Sequence, residues 1–270
     1  LTCRQFTMSG PALPIASTRL TRANWPVVRA VAWRNVRLRY KSSLLGFVWT
    51  LLNPLLFLLI FLLIFSEAFP QVPNYPVFAL SGLIFWSFFS TTSAHIMGAL
   101  VENSAVLRSL AVPPMVFPLG QLLAGLFNLG MSFLPFAVIL HFFGRVPHLT
   151  DLLVIPIVLC YAAFIMGLSV ALAALNVYFR DIGILWNALL PAFFYITPIA
   201  YPADLIPDRL RWIVELNPLY HFIAAFRTVL VDGSAPQVGT WWILVGLAVV
   251  ATVFGSSLYK ILRPGFIANY

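Results

Sequence analysis

Three ionisable side chains lie on either side of one apolar segment and are the first candidates for chemistry. They are Glu215, His221 and Asp232. A carboxylate beside an imidazole can move protons, so the three could form an acid/base set. The residues around them are mostly apolar, however, and we favour the interpretation that these polar groups rim a turn. The sequence therefore predicts no catalytic residues.

Nucleotide and metal sites need spacings that the sequence lacks. The two lysines, Lys41 and Lys260, follow Tyr40 and Tyr259, whereas a phosphate-binding loop places its lysine between a glycine and a serine or threonine. We therefore expect no cofactor in this chain, and any ATP-driven step would need a partner. The histidines and cysteines also lack ligand spacing and predict no metal site: His95, His141, His148, His221, Cys3 and Cys160.

Composition assigns the chain to a class. Hydrophobic residues make up 61% of it and charged residues only 9%, whereas soluble domains carry about 25% charged residues. The apolar runs repeatedly reach the length of a membrane helix, and they do not alternate as the strands of a membrane barrel do. The sequence therefore predicts an all-α integral membrane protein.

Six apolar runs are candidates for transmembrane helices, at about residues 44–65, 76–100, 112–143, 152–178, 182–201 and 240–259. The third run contains prolines, which predict a broken beginning and a bend. The domain boundaries follow from these runs. We expect a disordered tail at 1–23, a surface helix at 24–42, the six-span membrane domain at 43–262 and a second tail at 263–270.

The distribution of charge predicts the orientation. With six spans, twelve of the sixteen lysines and arginines fall on the side of the two termini, and six of the eight acids fall on the other side. Basic residues mark the cytoplasmic side, so we expect both termini in the cytoplasm. Eight of the basic residues lie before Ser43, beside the first run. This block favours anionic lipid over nucleic acid as its partner.

The segment 24–42 predicts a helix that lies on the cytoplasmic surface of the membrane. Wound at helical pitch, one side carries indoles, a tyrosine and valines, and another side carries cations. Val27, Val31 and Leu38 spoil a clean division between the two sides. The alternative is a basic flank that only sets orientation. The residues assigned to the surface helix are Trp25, Trp33, Arg34, Arg37, Tyr40 and Lys41.

The stretch 203–237 predicts two short helices that dip into the outer side of the membrane and return. Arg227 lies in an apolar run shorter than the ~20 residues of a span, and a charge at the centre of a span costs about 3 kcal/mol. We expect a carboxylate or carbonyl partner for Arg227, with Glu215 as the candidate. Asn217-Pro218 predicts the bend. The assigned residues are Tyr201, Pro202, Glu215, Asn217, Pro218, Tyr220 and Arg227.

The turn 99–112 predicts a point of contact with a partner on the cytoplasmic side. It is short and able to form a helix, which Asn103 and Ser104 could cap. Leu107 and Leu110 would form an apolar ridge suited to a groove. The alternative is an ordinary connecting loop. The residues assigned to this turn are Glu102, Asn103, Leu107, Arg108 and Leu110.

Three stretches of the chain resemble one known family. They are Arg37-x-Arg39-Tyr40-Lys41-x-Ser43-x-Leu45-Gly46-x-x-Trp49-x-x-x-x-Pro54, then Asn103-x-x-x-Leu107 with Pro113 and Pro118, and finally Tyr178-x-Arg180-Asp181-Ile182, Pro198-x-x-Tyr201-Pro202, Pro207, Leu216-Asn217-Pro218 and Phe226-Arg227. Their order and spacing are similar to those in the membrane subunits of bacterial ABC exporters for lipid-linked polysaccharides, such as O-antigen, capsule, teichoic acid and galactan. The resemblance covers about residues 25–262.

The resemblance implies how such a chain would work. Two copies would pair in the inner membrane, and two separate ATPase subunits, which hold ATP and Mg²⁺, would dock on the turn 99–112. The outer helix pair would close the exit of a channel for a glycan on a polyprenyl or other lipid. Aromatic planes suit sugar rings, although packing would explain more than half of the candidates: Trp49, Phe57, Phe85, Trp86, Phe88, Phe89, Phe193, Phe194 and Tyr195.

Two other functions are alternatives. The first is efflux of drugs or small lipids by a permease of the same type, which dye export without loss of surface glycan would favour. The second is a polytopic glycosyltransferase or acyltransferase that acts on a lipid-linked sugar. Such an enzyme would need an essential Asp, Glu or His on the outer side of the membrane.

Overall fold

A computed structural model describes residues 20–41, 52, 55, 56, 59, 60, 63 and 74–269. Within 20–41 and 74–269 the chain forms ten α-helices and no strand, which confirms the all-α class for this part of the chain. The helices are α1 (Trp25–Tyr40), α2 (Tyr75–Glu102), α3 (Ser104–Ser109), α4 (Val116–Phe142), α5 (Val154–Tyr178), α6 (Asp181–Ile196), α7 (Asp208–Glu215), α8 (Pro218–Leu230), α9 (Val238–Leu262) and α10 (Phe266–Asn269).

Four segments are long and apolar enough to cross a membrane: Tyr75–Glu102, Val116–Phe142, Leu149–Tyr178 and Val238–Gly265. They correspond to the second, third, fourth and sixth predicted runs. α6 is apolar but has 16 residues, or about 24 Å at 1.5 Å per residue, which is less than the ~30 Å hydrocarbon core. Most of the first predicted run, 44–65, lies outside the described residues. The count of six spans stays a prediction.

α4 is the proline-rich predicted span. It begins at Val116 and contains Pro135, which has no N–H to donate to the preceding turn. The helix ends at Phe142, and Gly144 after it has a φ of 78°, which lies in the left-handed region. The N–H of Arg145 then donates to the Leu140 carbonyl at 3.0 Å, as in a Schellman turn. This turn fixes the position of Arg145 at the start of the following loop.

Helices α5 and α9 cross with their backbones in close contact. A Cβ atom on Gly255 would overlap the carbonyl of Gly167, and one on Gly167 would overlap the carbonyl of Ala251. Small residues allow this approach. In a bilayer, where helices gain little from the hydrophobic effect, the van der Waals contacts of such a close crossing hold them together. α2 lies against α4 and α5 on the other side of the bundle.

The centre of the bundle is aromatic, and α8 lies in it. Phe226 of α8 has its ring centroid 3.7 Å from that of Phe85 in α2, and Phe222 lies 4.7 Å from Tyr161 in α5. All four side chains are almost completely buried. A helix of 13 residues is too short to span a bilayer alone. These contacts shelter α8 inside the protein.

α1 occupies the segment predicted to form a surface helix, but its faces differ from the prediction. Val28, Val31 and Val36 are buried, and α1 packs on α4, where a Cβ atom on Gly120 would lie 2.5 Å from Val31. Of the three residues that spoiled the predicted division, Val31 therefore belongs to the packing face, whereas Val27 and Leu38 are exposed. The Trp25 and Trp33 side chains remain about half exposed. Their placement at lipid headgroups stays a prediction.

The segment predicted as a carboxy-terminal tail packs against the bundle. Arg263–Gly265 forms a 3-10 turn and α10 follows it. The buried Phe266 ring lies 5.6 Å from the Tyr259 ring. The Tyr178 hydroxyl donates a 2.7 Å hydrogen bond to the carbonyl at the end of α9. The end of α9 is thus fixed to the end of α5.

Candidate functional site

Arg227 of α8 joins this helix to the segment after α6 and to the beginning of α2. Its Nη1 donates to the Pro198 carbonyl at 2.8 Å, its Nη2 to the carbonyls of Ile199 at 2.5 Å and Phe78 at 3.2 Å, and its Nε to Ser81 Oγ at 3.3 Å. The guanidinium carbon also lies 3.6 Å from the centroid of the Phe78 ring. Arginine stays protonated at physiological pH. These acceptors offset the cost of burying its charge.

The expected carbonyl partner for Arg227 is confirmed, but the choice of Glu215 is wrong. Glu215 is exposed at the end of α7, and Arg227 lies nine residues after Pro218, or about 14 Å along α8. Arg227 therefore lies beside the first turn of α2 and away from Glu215, the last residue of α7. Two of the three carbonyl acceptors, those of Pro198 and Ile199, are available because they lie in the non-helical segment after α6.

The possible acid/base set does not assemble. The His221 Nε2 atom lies 2.7 Å from the main-chain carbonyl of Glu215, not from its carboxylate. Asp232 lies beyond the other end of α8. Partial burial raises the pKa of Asp232, and the charges of Arg227 and Arg145 oppose this shift. The three side chains therefore serve local structure at separate ends of one helix.

The predicted bend at Asn217-Pro218 is present. Asn217 has φ −77° and ψ 113°, and its side-chain oxygen accepts a 3.0 Å hydrogen bond from the N–H of Leu219. Pro218 is the first residue of α8, where its missing N–H costs nothing. The same asparagine donates from Nδ2 to Thr197 Oγ1 at 2.7 Å. The cap of α8 is thereby tied to the end of α6.

We call residues 197–202, between α6 and the 3-10 turn Ala203–Leu205, the outer linker. The Tyr75 hydroxyl donates a 2.8 Å hydrogen bond to the Ala200 carbonyl in this linker. Together with the bonds from Asn217 and Arg227, it holds the linker against the beginning of α2. The linker is mostly buried, so each of these donors satisfies a polar group that water does not reach.

Gly82 of α2 makes room for this arrangement. A Cβ atom there would lie 2.7 Å from Nη2 of Arg227 and 2.8 Å from the Ile199 carbonyl oxygen. Real Cβ atoms do not approach backbone oxygen so closely, so an alanine at this position would push α2 away from the outer linker. The sequence pattern did not indicate this role.

The aromatic residues of the predicted outer pair have local partners. The Tyr201 hydroxyl donates to the carbonyls of Tyr195 at 2.7 Å and Ile196 at 3.4 Å. Burial raises the pKa of Tyr201, which keeps this donor protonated, and its bonds cap the end of α6. Pro202 precedes the 3-10 turn. The half-buried Tyr220 has its ring 5.4 Å from that of His221.

Arg145 holds the carboxy-terminal end of α8, and the sequence analysis did not identify this role. It forms an ion pair with Asp151 at 2.9 Å and donates to the carbonyls of Val229 at 3.0 Å and Leu230 at 3.2 Å. These carbonyls end α8, so a cation there also favours the negative end of the helix. The only signal in the sequence was an isolated arginine and aspartate in one predicted outer loop.

The turn after α2 contains the short helix α3, as its helix-capable sequence predicted. The proposed apolar ridge is only half right. Leu110 is 53% exposed, but Leu107 is 2% exposed and belongs to the core of the bundle. The side chains of Glu102 and Arg108 are exposed. Any partner at this turn would therefore contact Leu110 and the charged residues.

Asn103 links this turn to α1. Its side-chain oxygen accepts a 2.9 Å hydrogen bond from Arg34 Nη2, and its Nδ2 donates to the Ala99 carbonyl at 2.8 Å. It does not cap α3 with its side chain, contrary to the prediction, because both polar atoms are already engaged. The contact brings together two groups of residues that the sequence analysis treated separately.

The cations of α1 line a groove on its outer side. Arg37 lies 5.0 Å from the ring of Trp33. A groove of about 810 Å³ runs beside them and also includes Arg34, Lys41 and Phe127 of α4. Tyr40 is the last residue of the helix. In residues 20–41 and 74–269 no three His, Cys, Asp or Glu side chains are close enough to hold a metal ion.

The candidate aromatics for a glycan path divide into three groups. Phe85, Phe88 and Phe89 are buried in the core and are not available to a substrate. Trp49 and Phe57 lie outside the described residues. The remaining four are not fully buried: Trp86, Phe193, Phe194 and Tyr195. The ring of Phe194 lies 5.4 Å from those of Trp86 and Tyr195, whereas the ring of Phe193 lies 5.9 Å from that of Trp186.

Comparisons with known proteins agree over most of the chain. The sequence profile of the ABC-2 type transporter family matches residues 26–231. The O-antigen export system permease protein RfbA of Klebsiella pneumoniae is 30% identical over 235 residues, covering 86% of this chain and 90% of that protein. RfbA of Myxococcus xanthus is 31% identical over 237 residues, covering 86% and 91%.

A third relative extends the comparison. The polysialic acid transport protein KpsM of Escherichia coli is 25% identical over 240 residues, covering 86% of this chain and 92% of that protein. The matched range includes α1, the turn with α3, the outer linker and Arg227. The chain belongs to the ABC-2 type transporter family of membrane proteins.

Proposed function

We propose that this chain is the membrane-spanning subunit of an ATP-driven exporter that moves a lipid-linked polysaccharide, such as O-antigen, across the bacterial inner membrane. The observation that carries the proposal is the identity of 30–31% to O-antigen export permeases across nine-tenths of their length. Two copies form the channel, and both termini face the cytoplasm. The 12 to 4 distribution of basic residues supports this orientation.

The energy comes from two separate ATPase subunits, which carry the ATP and Mg²⁺. The absence of a Gly-Lys-Ser/Thr sequence supports this division of labour. α3 and its neighbours Glu102, Arg108 and Leu110 form the docking point, because their side chains are exposed. Asn103 passes movement of this point to α1 through Arg34, which lies on the inner surface of the membrane.

The outer side carries the exit. α7 and α8 enter and leave on the same side and, held by Arg227 and Asn217, form the element that closes the channel. Tyr201 and Tyr220 border the exit. Trp86, Phe193, Phe194 and Tyr195 border the path of the glycan. The shelter of α8 among buried aromatic rings supports a re-entrant helix, since irregular backbone at membrane depth must lie within protein.

Deletion and reconstitution test the proposal. A strain without this chain should lose its surface glycan and accumulate the lipid-linked form inside, and the intact gene should restore export. The purified chain alone should hydrolyse no ATP, whereas the complex with its ATPase subunits should. Normal surface glycan in the deletion strain, together with lost export of fluorescent dyes, would instead support small-molecule efflux. Turnover of lipid-linked sugar by the isolated chain would support an enzyme.

A further inference from the structure

Among the helices that the structure describes, none covers one side of α2, and this side carries polar residues. Thr91 and His95 are exposed there, and Ser87 and Ser90 are half-buried. Their spacings of three and four residues place them on one side of the helix. We call these four residues the polar stripe. It extends over nine residues, or about 12 Å at 1.5 Å per residue, through the middle of α2.

The polar stripe of α2 differs from the exposed side of α9, which has the apolar character of a surface that contacts lipid. The exposed residues of α9 include Val249, Val250, Val253 and Phe254, each more than half exposed and all apolar. Hydrocarbon accepts these side chains, whereas an imidazole and hydroxyls at membrane depth carry a free-energy penalty. The polar stripe therefore faces an aqueous path or a polar ligand.

Hydrogen bonds within α2 leave part of the stripe free to bind. The Thr91 hydroxyl donates to the Ser87 carbonyl at 2.5 Å, so its oxygen lone pairs still point outward. His95 Nδ1 lies 2.5 Å from the Thr91 carbonyl, which makes Nδ1 the donor in the neutral ring. Nε2 is then left as an acceptor. The stripe thus offers acceptors to hydroxyl groups along its length.

An aromatic ledge borders the stripe. The half-buried Trp86 precedes Ser87 and lies 5.4 Å from the ring of Phe194 in α6. Asn187 is exposed and lies seven residues before Phe194, on the same side of α6. Flat apolar rings beside a few fixed polar groups are typical of sites that hold an amphiphilic ligand. A sugar has this character, with C–H faces and hydroxyl edges.

We propose that the polar stripe of α2, with the Trp86 ledge beside it, is the wall that contacts the glycan during transport. The inference rests on the proposed function and adds the substrate-contacting surface. Weak, repeated acceptors suit a moving polymer, because each contact must form and release as the chain advances. Cover by another part of the protein or by a second copy is the outcome that the test must distinguish from contact with glycan.

The experiment uses the complete exporter in its own membrane. Cys3 and Cys160 are replaced by alanine, and single cysteines are introduced as Thr91→Cys, His95→Cys and Val253→Cys. The third variant is the matched control on the apolar side of α9. Glycan export before labelling establishes that each variant folds, and either stripe variant alone is enough for the test. A water-soluble methanethiosulfonate is then added with and without glycan synthesis.

The methanethiosulfonate should react with the Thr91→Cys and His95→Cys variants and not with the Val253→Cys control. Their reaction should slow about fivefold when glycan is being made, as expected if a contact worth ~1 kcal/mol covers them. A bulky adduct should then stop export. If the stripe cysteines do not react in an exporting complex, another protein segment covers the stripe and the proposal is wrong. Reaction that glycan does not slow and that leaves export intact also overturns it, while the proposed function stands.

Discussion

The guanidinium of Arg34 donates a 2.9 Å hydrogen bond to the side-chain oxygen of Asn103, 69 residues further along the chain. Asn103 is buried between α2 and α3, and Arg34 lies on the exposed side of α1. The bond is a direct polar link between the amino-terminal helix and the turn proposed to receive the ATPase. A movement of the turn would therefore act on α1 through this side-chain pair.

Arg34→Ala and Asn103→Ala should each lower the free energy of unfolding by about 1–3 kcal/mol, since a hydrogen bond to a charged donor is lost. The double variant should lose little more than either single one, because both remove the same bond. Thermal unfolding of the purified exporter measures this. Arg37→Ala is the control, because Arg37 lies over the ring of Trp33 within α1 and its effect should add independently. Full additivity of Arg34→Ala and Asn103→Ala would contradict the link.

Leu110→Asp should separate ATP hydrolysis from export without loss of folded protein. Leu110 is exposed, so a carboxylate there disturbs a partner rather than the core. Leu107→Asp should instead prevent folding, because the charge would be buried among apolar side chains. The ratio of glycan exported to ATP hydrolysed, measured beside the amount of folded chain, checks both. Wild-type coupling in Leu110→Asp would exclude this residue from the docking point.

Arg227→Lys should lower the free energy of unfolding nearly as much as Arg227→Ala. A lysine lacks the planar fork that reaches the Pro198, Ile199 and Phe78 carbonyls together. Each buried carbonyl left without a donor costs about 1–3 kcal/mol. Protease sensitivity of the outer linker and thermal unfolding measure the loss. Arg211→Ala, which breaks only an exposed 3.6 Å pair with Asp208, should change the stability by less than about 1 kcal/mol. Rescue by lysine would show that charge alone suffices.

Gly82→Ala should lower the unfolding temperature and reduce export. Its Cβ would lie 2.7 Å from Arg227 and 2.8 Å from the Ile199 carbonyl, and overpacking of this kind costs about 1–3 kcal/mol. Gly246→Ala is the matched control in α9, because nothing lies within 4 Å of its Cβ position. That variant should unfold at or above the wild-type temperature. Equal behaviour of the two variants would mean that the helix can shift away at no cost.

Cysteines at Ala203 and Gln237, in a chain without Cys3 and Cys160, should both react with an impermeant reagent added from outside. Ala203 precedes α7 and Gln237 follows α8. A re-entrant pair of helices therefore leaves both residues on the outer surface. Gln237 is exposed and Ala203 is partly so. Labelling of intact cells and of inverted vesicles gives the side of each residue. Reaction of only one from outside would mean that α7 and α8 carry the chain across the membrane.

The class and the main breaks of the chain could be predicted from the sequence because they depend on local composition. Apolar runs of bilayer length predicted α2, α4, α5 and α9, and Asn217-Pro218 predicted the start of α8. Proline lacks a donor and restricts its predecessor wherever the rest of the protein lies. The need of Arg227 for an oxygen partner is also local, since a charge in an apolar run requires one.

Which oxygen it binds was decided by the tertiary structure. The acceptors of Arg227 lie 28 to 149 residues away in the sequence, and nothing in the composition of α8 indicates that the first turn of α2 is beside it. Leu107 and Leu110 are the same residue type in one turn, yet only the packing of α3 on the bundle buries the first of them. Sequence period identifies which side chains share a face. Contacts between distant segments decide which faces are covered, and therefore which residues remain available to a partner or a substrate.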